Sequence, residues 1–125
     1  MRFNFNTLRT LKYFFAALLF VAGCSNASEK PLTLRVGAEP SAKMRNEEGI
    51  KHYLAGRNFD ALLQFNQANL ADPTSGEIHF NLGLTFWKEN KEKRAIQHFK
   101  KAKKLARGNP KILNSPLLKK ALEEN

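Results

Sequence analysis

Apolar residues fall along this chain in three patterns, and each predicts a different kind of structure. The first is continuous. From Tyr13 to Ala22 the residues are Tyr, Phe, Ala, Leu and Val without a polar interruption, behind a basic, acid-free stretch from Met1 to Lys12. That is the layout of a secretory signal. The run is well short of the roughly 20 residues that a membrane-crossing helix needs, so its removal is expected. The second pattern is dilute. From Ser25 to about Lys43 the chain is rich in Ser, Ala, Glu, Lys, Gly and Pro, with Pro31 and Pro40 expected to break any helix. Leu32-Thr33-Leu34-Arg35-Val36 alternates as a short strand does, but no second strand is at hand to pair with it, and an extended linker is the better reading. The third pattern is helical. Ala61, Phe65 and Ala68 fall at i, i+4 and i+7 and so share one helical face. Ala95, Ile96, Phe99, Ala102 and Leu105 line one side of a helix expected from about Glu92 to Arg107. Ser115-Pro116, a capping hydroxyl followed by a proline at the first helical position, opens another, with Leu117, Leu118, Ala121 and Leu122 as its apolar stripe.

Two of the helical stretches are copies of one another. Laying Ala42–Ser75 over Gly76–Asn109 aligns Gly49 with Gly83, Ala61 with Ala95, Phe65 with Phe99 and Ala68 with Ala102, all at a spacing of 34. Small residues let helices approach closely, and each phenylalanine fills the space between them. Gly56-Arg57-Asn58 and Glu89-Asn90-Lys91 interrupt the pattern as turns, and Asp72-Pro73 closes the first copy before Thr74 or Ser75 caps the next helix. These residues resemble the tetratricopeptide repeat, a helix-turn-helix unit of 34 residues, over roughly Lys43 to Asn109. The resemblance implies an all-α fold of two such repeats, with the last helix as a C-terminal cap offering one face to the repeats and one to water. The organisation expected is a cleaved signal at 1–23, a flexible tether at 24–43 and a helical domain at 44–125. Two repeats and a cap fall below the three or more usually needed for stability, so stability is expected to be modest or assisted by a partner.

The cysteine count sharpens the N-terminal reading. Cys24 is the only cysteine, which excludes an internal disulfide and any multi-cysteine zinc site. It stands at the end of Val21-Ala22-Gly23-Cys24, a segment that resembles the lipobox of bacterial lipoproteins. The resemblance implies that the Cys24 thiol accepts diacylglycerol and becomes the mature N-terminus, anchored by acyl chains at about 0.8 kcal/mol per buried methylene. Ser25 in place of an aspartate matches the sorting pattern that many Gram-negative bacteria use for the outer membrane, so a lipid-anchored protein facing the periplasm is expected.

Charge changes the picture in one place. The formal net charge is +10, and the stretch from Lys88 to Lys111 holds ten basic residues against Glu89 and Glu92, a local excess of +8. Arg94, Lys100, Lys101, Lys104 and Arg107 are expected on the outside of its helix. In an exported protein the counterparts of such a face are anionic lipid, lipopolysaccharide, cell-wall polymer or an acidic protein rather than nucleic acid. The plain alternative is a solvated, lysine-rich surface. His52, His79 and His98 lack the i, i+4 spacing of a helical metal pair, and Glu47-Glu48 and Glu123-Glu124 are adjacent rather than on a shared face. No phosphate loop and no nucleophile with a plausible base is present. An enzyme, a metal and a cofactor are therefore not expected.

The repeat resemblance also implies a concave groove lined by the first helix of each repeat. Lys43, Asn46, Ile50, Tyr53 and Leu54, then Glu77, Phe80, Leu84, Trp87 and Lys88, take the places that contact a bound segment, and Asn81 takes that of an amide bonding a peptide backbone. Tyr53, Phe80 and Trp87 have the character of rigid contact residues. The alternative for Phe80 and Trp87 is packing against the tether or the cap helix. The function expected is a membrane-anchored adaptor or assembly factor that holds another envelope protein, as a peptide or helix, in the groove. A homo-oligomer stays open. The competing expectation is a module that binds the envelope surface through its basic face.

Overall fold

The computed structural model describes residues 28–124. The signal stretch, Cys24 and the first residues after it lie outside the described residues. Those described form six helices and no strand: α1 (Pro40–Leu54), α2 (Asn58–Ala71), α3 (Gly76–Lys88), α4 (Glu92–Lys104), α5 (Pro110–Leu113) and α6 (Pro116–Glu123). The all-α class is as the periodicity predicts. Two hairpins, α1/α2 and α3/α4, supply most of the packing. α2 lies against α3, and α6 covers α4.

The two hairpins turn in the same way. After α1 the chain passes through Gly56 at φ 76°, and after α3 through Asn90 at φ 56°, a left-handed geometry that Gly adopts freely and Asn tolerates. At the first turn the amide of Arg57 donates to His52 O at 2.9 Å and that of Gly56 to Tyr53 O at 3.1 Å. At the second, Lys91 donates to Phe86 O at 2.9 Å and Asn90 to Trp87 O at 3.0 Å. Both are Schellman closures, which satisfy carbonyls the ending helix would otherwise leave unpaired.

Inside each hairpin a phenylalanine lies against a glycine. Phe65 and Phe99 are both 0% exposed, as are Ala61, Ala68, Ala95 and Ala102. A Cβ built on Gly49 would lie 2.5 Å from the Phe65 ring, and one on Gly83 would lie 2.5 Å from the Phe99 ring. The repeat identities thus mark one contact made twice. α3 sits at the centre of the stack, and every residue from Gly76 to Phe86 is buried. Its polar members are provided for: Thr85 Oγ1 donates to Asn81 O at 2.7 Å, while Glu77 accepts from Ser75 Oγ at 3.0 Å and Asn109 Nδ2 at 3.0 Å. At the C-terminal end Leu118 and Ala121 are buried, and Ser115 Oγ accepts from the Leu118 amide at 3.0 Å. The cap helix forms where its capping signals predict.

Three boundaries differ from expectation. Pro40 opens α1 instead of breaking it, because a proline at the first helical position gives up an amide that would have had no partner. Glu39 Oε2 caps the same end by accepting from Ala42 N at 2.6 Å. α4 stops at Lys104, so Arg107 is not on the basic helix; it sits in the following turn at φ 49°. The single turn α5, capped by Asn109 Oδ1 accepting from Lys111 N at 3.0 Å, brings Ile112 to 0% exposure. Asn109-Pro110 carries the same cap-and-proline signal as Ser115-Pro116, though no helix was expected there.

Candidate functional site

Of the expected groove residues, Asn46 and Asn81 are brought together, and they grip a segment of the chain itself. Residues 28–39 form neither helix nor strand, as an extended linker should. Yet Pro31 is buried, and Leu32 and Leu34 pack half-buried against the core. The amide of Leu32 donates to Asn81 Oδ1 at 2.6 Å. Its carbonyl accepts from Asn46 Nδ2 at 2.9 Å and from Asn81 Nδ2 at 2.8 Å. Asn81 Nδ2 also donates to Asn46 Oδ1 at 2.8 Å, which sets the two side chains against each other. Both asparagines are 0% exposed. They come from the first helix of each hairpin, so the clamp exists only once the hairpins are stacked. Farther back along the segment, Glu29 Oε1 accepts from the Leu117 amide at 2.7 Å, at the N-terminus of α6. There the free amides and the helix dipole favour a carboxylate.

The segment's contacts and the cost of ordering it are of similar size. Its four hydrogen bonds contribute about 1 kcal/mol each, and burial of Pro31 with half-burial of the two leucines adds about 3–4 kcal/mol. Ordering about six residues costs about 1–2 kcal/mol apiece. These opposing quantities cancel to within a few kcal/mol.

The other groove residues divide in two. Phe80 (1% exposed) and Leu84 (2%) are part of the core. Phe80 lines a cleft of about 280 Å³ with Leu32 of the segment expected as a tether, Pro110, and Ser115 at the start of the cap helix. Ile50 and Trp87 are half-buried, and Tyr53 is buried, with the Lys88 ammonium 4.5 Å from its ring centroid. Burial, followed by the negative Glu29 carboxylate, pushes the Tyr53 hydroxyl above its ordinary pKa. Leu54, by contrast, is 62% exposed at the end of α1, and Lys43 is exposed near its start.

On the basic face Arg94, Lys100, Lys101 and Lys104 are exposed on α4. Arg94 rests 5.6 Å over the Phe86 ring. None of these side chains is in the ion pairs of the described residues, which join Lys51 to Glu48 and Asp60 to Arg57 and His52. Lys101 and Lys104 border a cleft of about 290 Å³ with Asn69, Pro73 and His79. On the outer side of α2, Phe59 (81%), Leu63 (49%) and Leu70 (82%) are exposed. Their 4-and-7 spacing was legible in the sequence but drew no attention there.

Sequence reasoning also missed a histidine pair. His79 Nδ1 lies 3.1 Å from His98 Nδ1, and His79 Nε2 lies 3.1 Å from Pro73 O. A carbonyl only accepts, so His79 carries its proton on Nε2 and His98 Nδ1–H donates to His79 Nδ1. His98 stacks between His79 and Phe86, with centroids 5.4 Å away on each side. Burial, then His79 and Lys101, depress the His98 pKa to about 4. Burial likewise lowers His79, with Lys101 adding to the effect and the Pro73 carbonyl and Asp72 opposing it. The repeat register held the clue: His79 lies one turn before Gly83 and His98 directly precedes Phe99, the residue Gly83 touches. His52 stands apart, accepting from Arg57 Nε at 3.0 Å.

Among the described residues no three His, Cys, Asp or Glu side chains converge as a metal site would need, and no helix is long and apolar enough to cross a membrane. No family model matches the chain, and neither a curated protein nor a solved structure matches it.

Proposed function

We propose that this protein is a bacterial lipoprotein that works as an adaptor or assembly factor in the cell envelope. In this reading residues 1–23 are removed, Cys24 carries the acyl chains, and the helical domain, a pair of tetratricopeptide-like repeats with a cap, holds a segment of another protein at the membrane. The observation that carries the reading is the Asn46–Asn81 clamp on both main-chain groups of Leu32. A site that binds the amide and carbonyl of one residue recognises extended chain whatever its side chain, which suits an adaptor better than a catalyst. Intact-mass analysis of the protein purified from membranes tests the anchor. The expected result is a chain beginning at an acylated Cys24, with Cys24→Ala giving an unacylated product. An unmodified Cys24, or a chain that still begins at Met1, refutes it.

A second reading is favoured by the exposed lysines of α4, which join none of the ion pairs among the described residues. In that reading the domain binds anionic lipid, lipopolysaccharide or cell-wall polymer through Lys100, Lys101 and Lys104, and the groove has a purely structural part.

A further inference from the structure

We infer that residues 29–34 are a built-in, displaceable ligand, and that the groove takes an extended segment of a partner protein with the pattern Glu-x-Pro-Leu-x-Leu. This rests on the adaptor reading and specifies the chemistry of its partner. The pattern is read from what the groove touches. Glu29 is held by an α6 amide, Pro31 is buried, Leu32 is clamped by its main chain, and Leu32 and Leu34 lie half-buried on the core. Lys30 and Thr33 face solvent and are not read.

Two observations and one energy balance favour this segment as a ligand over a fixed part of the core. Its main-chain contacts are to side chains of helices, not to a neighbouring strand, so no backbone ladder has to break for it to leave. Its attachment to α1 is a short turn, closed by the Ala38 amide donating to Arg35 O at 3.2 Å, in which Gly37 has φ 81° with open space around it and Val36 is fully exposed, so the segment can swing out about residues 36–37. Its favourable and unfavourable contributions nearly cancel. Asn46 and Asn81 are fully covered while the segment is in place, and a chain that replaces it must offer the same amide and carbonyl, because buried amides left unpaired are costly. A groove that fixes the chemistry of its occupant, and whose resident is weakly held, is suited to exchange. The resident also acts as a threshold: tethered by a short hinge, it competes at an effective concentration of about millimolar, and a partner must exceed that to enter.

The test uses the full chain in detergent and, as probe, a synthetic acetylated and amidated peptide of Ser28–Val36. In Glu29→Ala/Leu32→Pro the resident segment loses its carboxylate, its clamped amide and a leucine side chain. This variant should keep its helical circular dichroism and bind the probe at least tenfold more tightly than the wild type, as followed by fluorescence of Trp87, the only tryptophan. A probe N-methylated at the amide of its Leu32 keeps every side chain but cannot donate to Asn81, and should bind at least tenfold more weakly. Loss of helicity in the variant would make the segment part of the fold and overturn the inference. So would a folded variant that binds the probe no better than the wild type, or equal binding of the N-methylated probe. None of these results bears on the acylation of Cys24, which intact mass decides separately.

Discussion

Gly83→Ala should have opposite effects on stability according to what stands at position 99. In the interior of a helix, alanine is favoured over glycine by about 1 kcal/mol, so an open site would gain by the change. Here the added Cβ would lie 2.5 Å from Cε1 and 2.6 Å from Cδ1 of Phe99, closer than carbon atoms can approach. Phe99 is fully buried with Phe80 at 6.0 Å centroid separation, so its ring has little room to retreat. Overpacking of this kind costs about 1–3 kcal/mol, leaving the single variant destabilised by as much as about 2 kcal/mol. Phe99→Ala alone should cost about 3–5 kcal/mol through lost burial and the cavity left behind. In that background the clash is gone, and Gly83→Ala should stabilise by about 1 kcal/mol. Urea unfolding followed by far-ultraviolet circular dichroism, with Trp87 fluorescence as a second probe, measures the cycle. Phe99→Leu can serve as the background if the alanine variant does not fold. A Gly83→Ala effect that is the same in both backgrounds, within the roughly 0.3–0.5 kcal/mol of ordinary additivity, would refute the close glycine–phenylalanine contact and with it the repeat register.

Two further outcomes test other parts of the molecule. The neutral His79–His98 pair makes stability sensitive to pH. Unfolded histidines take up protons below the ordinary value of 6.5, while folded His98 resists until about 4, so the unfolded state binds more protons across that window and stability falls as pH drops through it. His98→Phe should make the urea midpoint less dependent on pH between 7 and 4.5, and an unchanged dependence would show that the pair does not titrate in this way. On the outer face, changing Lys100, Lys101 and Lys104 to Glu should abolish binding to anionic lipid vesicles if the envelope-surface reading holds. Wild-type binding should then weaken between about 0.05 and 0.5 M salt as the Debye length contracts below about 10 Å. Vesicle binding that withstands both changes would remove the basic face from consideration.

What could be read from the sequence alone was what depends on neighbours close in the chain. Helical period, turn positions and caps are set by interactions within a few residues, so α2, α3, the two hairpin turns and the start of the cap helix lie where the pattern puts them. The spacing of 34 carried information of longer range, because repetition reports the same packing twice; it marked Gly49 and Gly83 as places of close approach and Phe65 and Phe99 as the side chains that fill the gap, and the structure shows that each pair is in contact. The tetratricopeptide resemblance, not the spacing itself, implied a groove to which Asn46 and Asn81 both contribute. Tertiary structure decided what fills that groove. The hydrogen bonds between Leu32 and Asn81 join residues 49 apart, and the one between Leu117 and Glu29 joins residues 88 apart. An irregular segment has no period by which such partners could be found. The same holds for His79 and His98, whose lowered proton affinity arises from burial between α3 and α4. Local pattern determines the helical period, the turns and most of the caps, whereas the occupancy of a groove and the ionisation of a side chain depend on which distant surfaces exclude water from them.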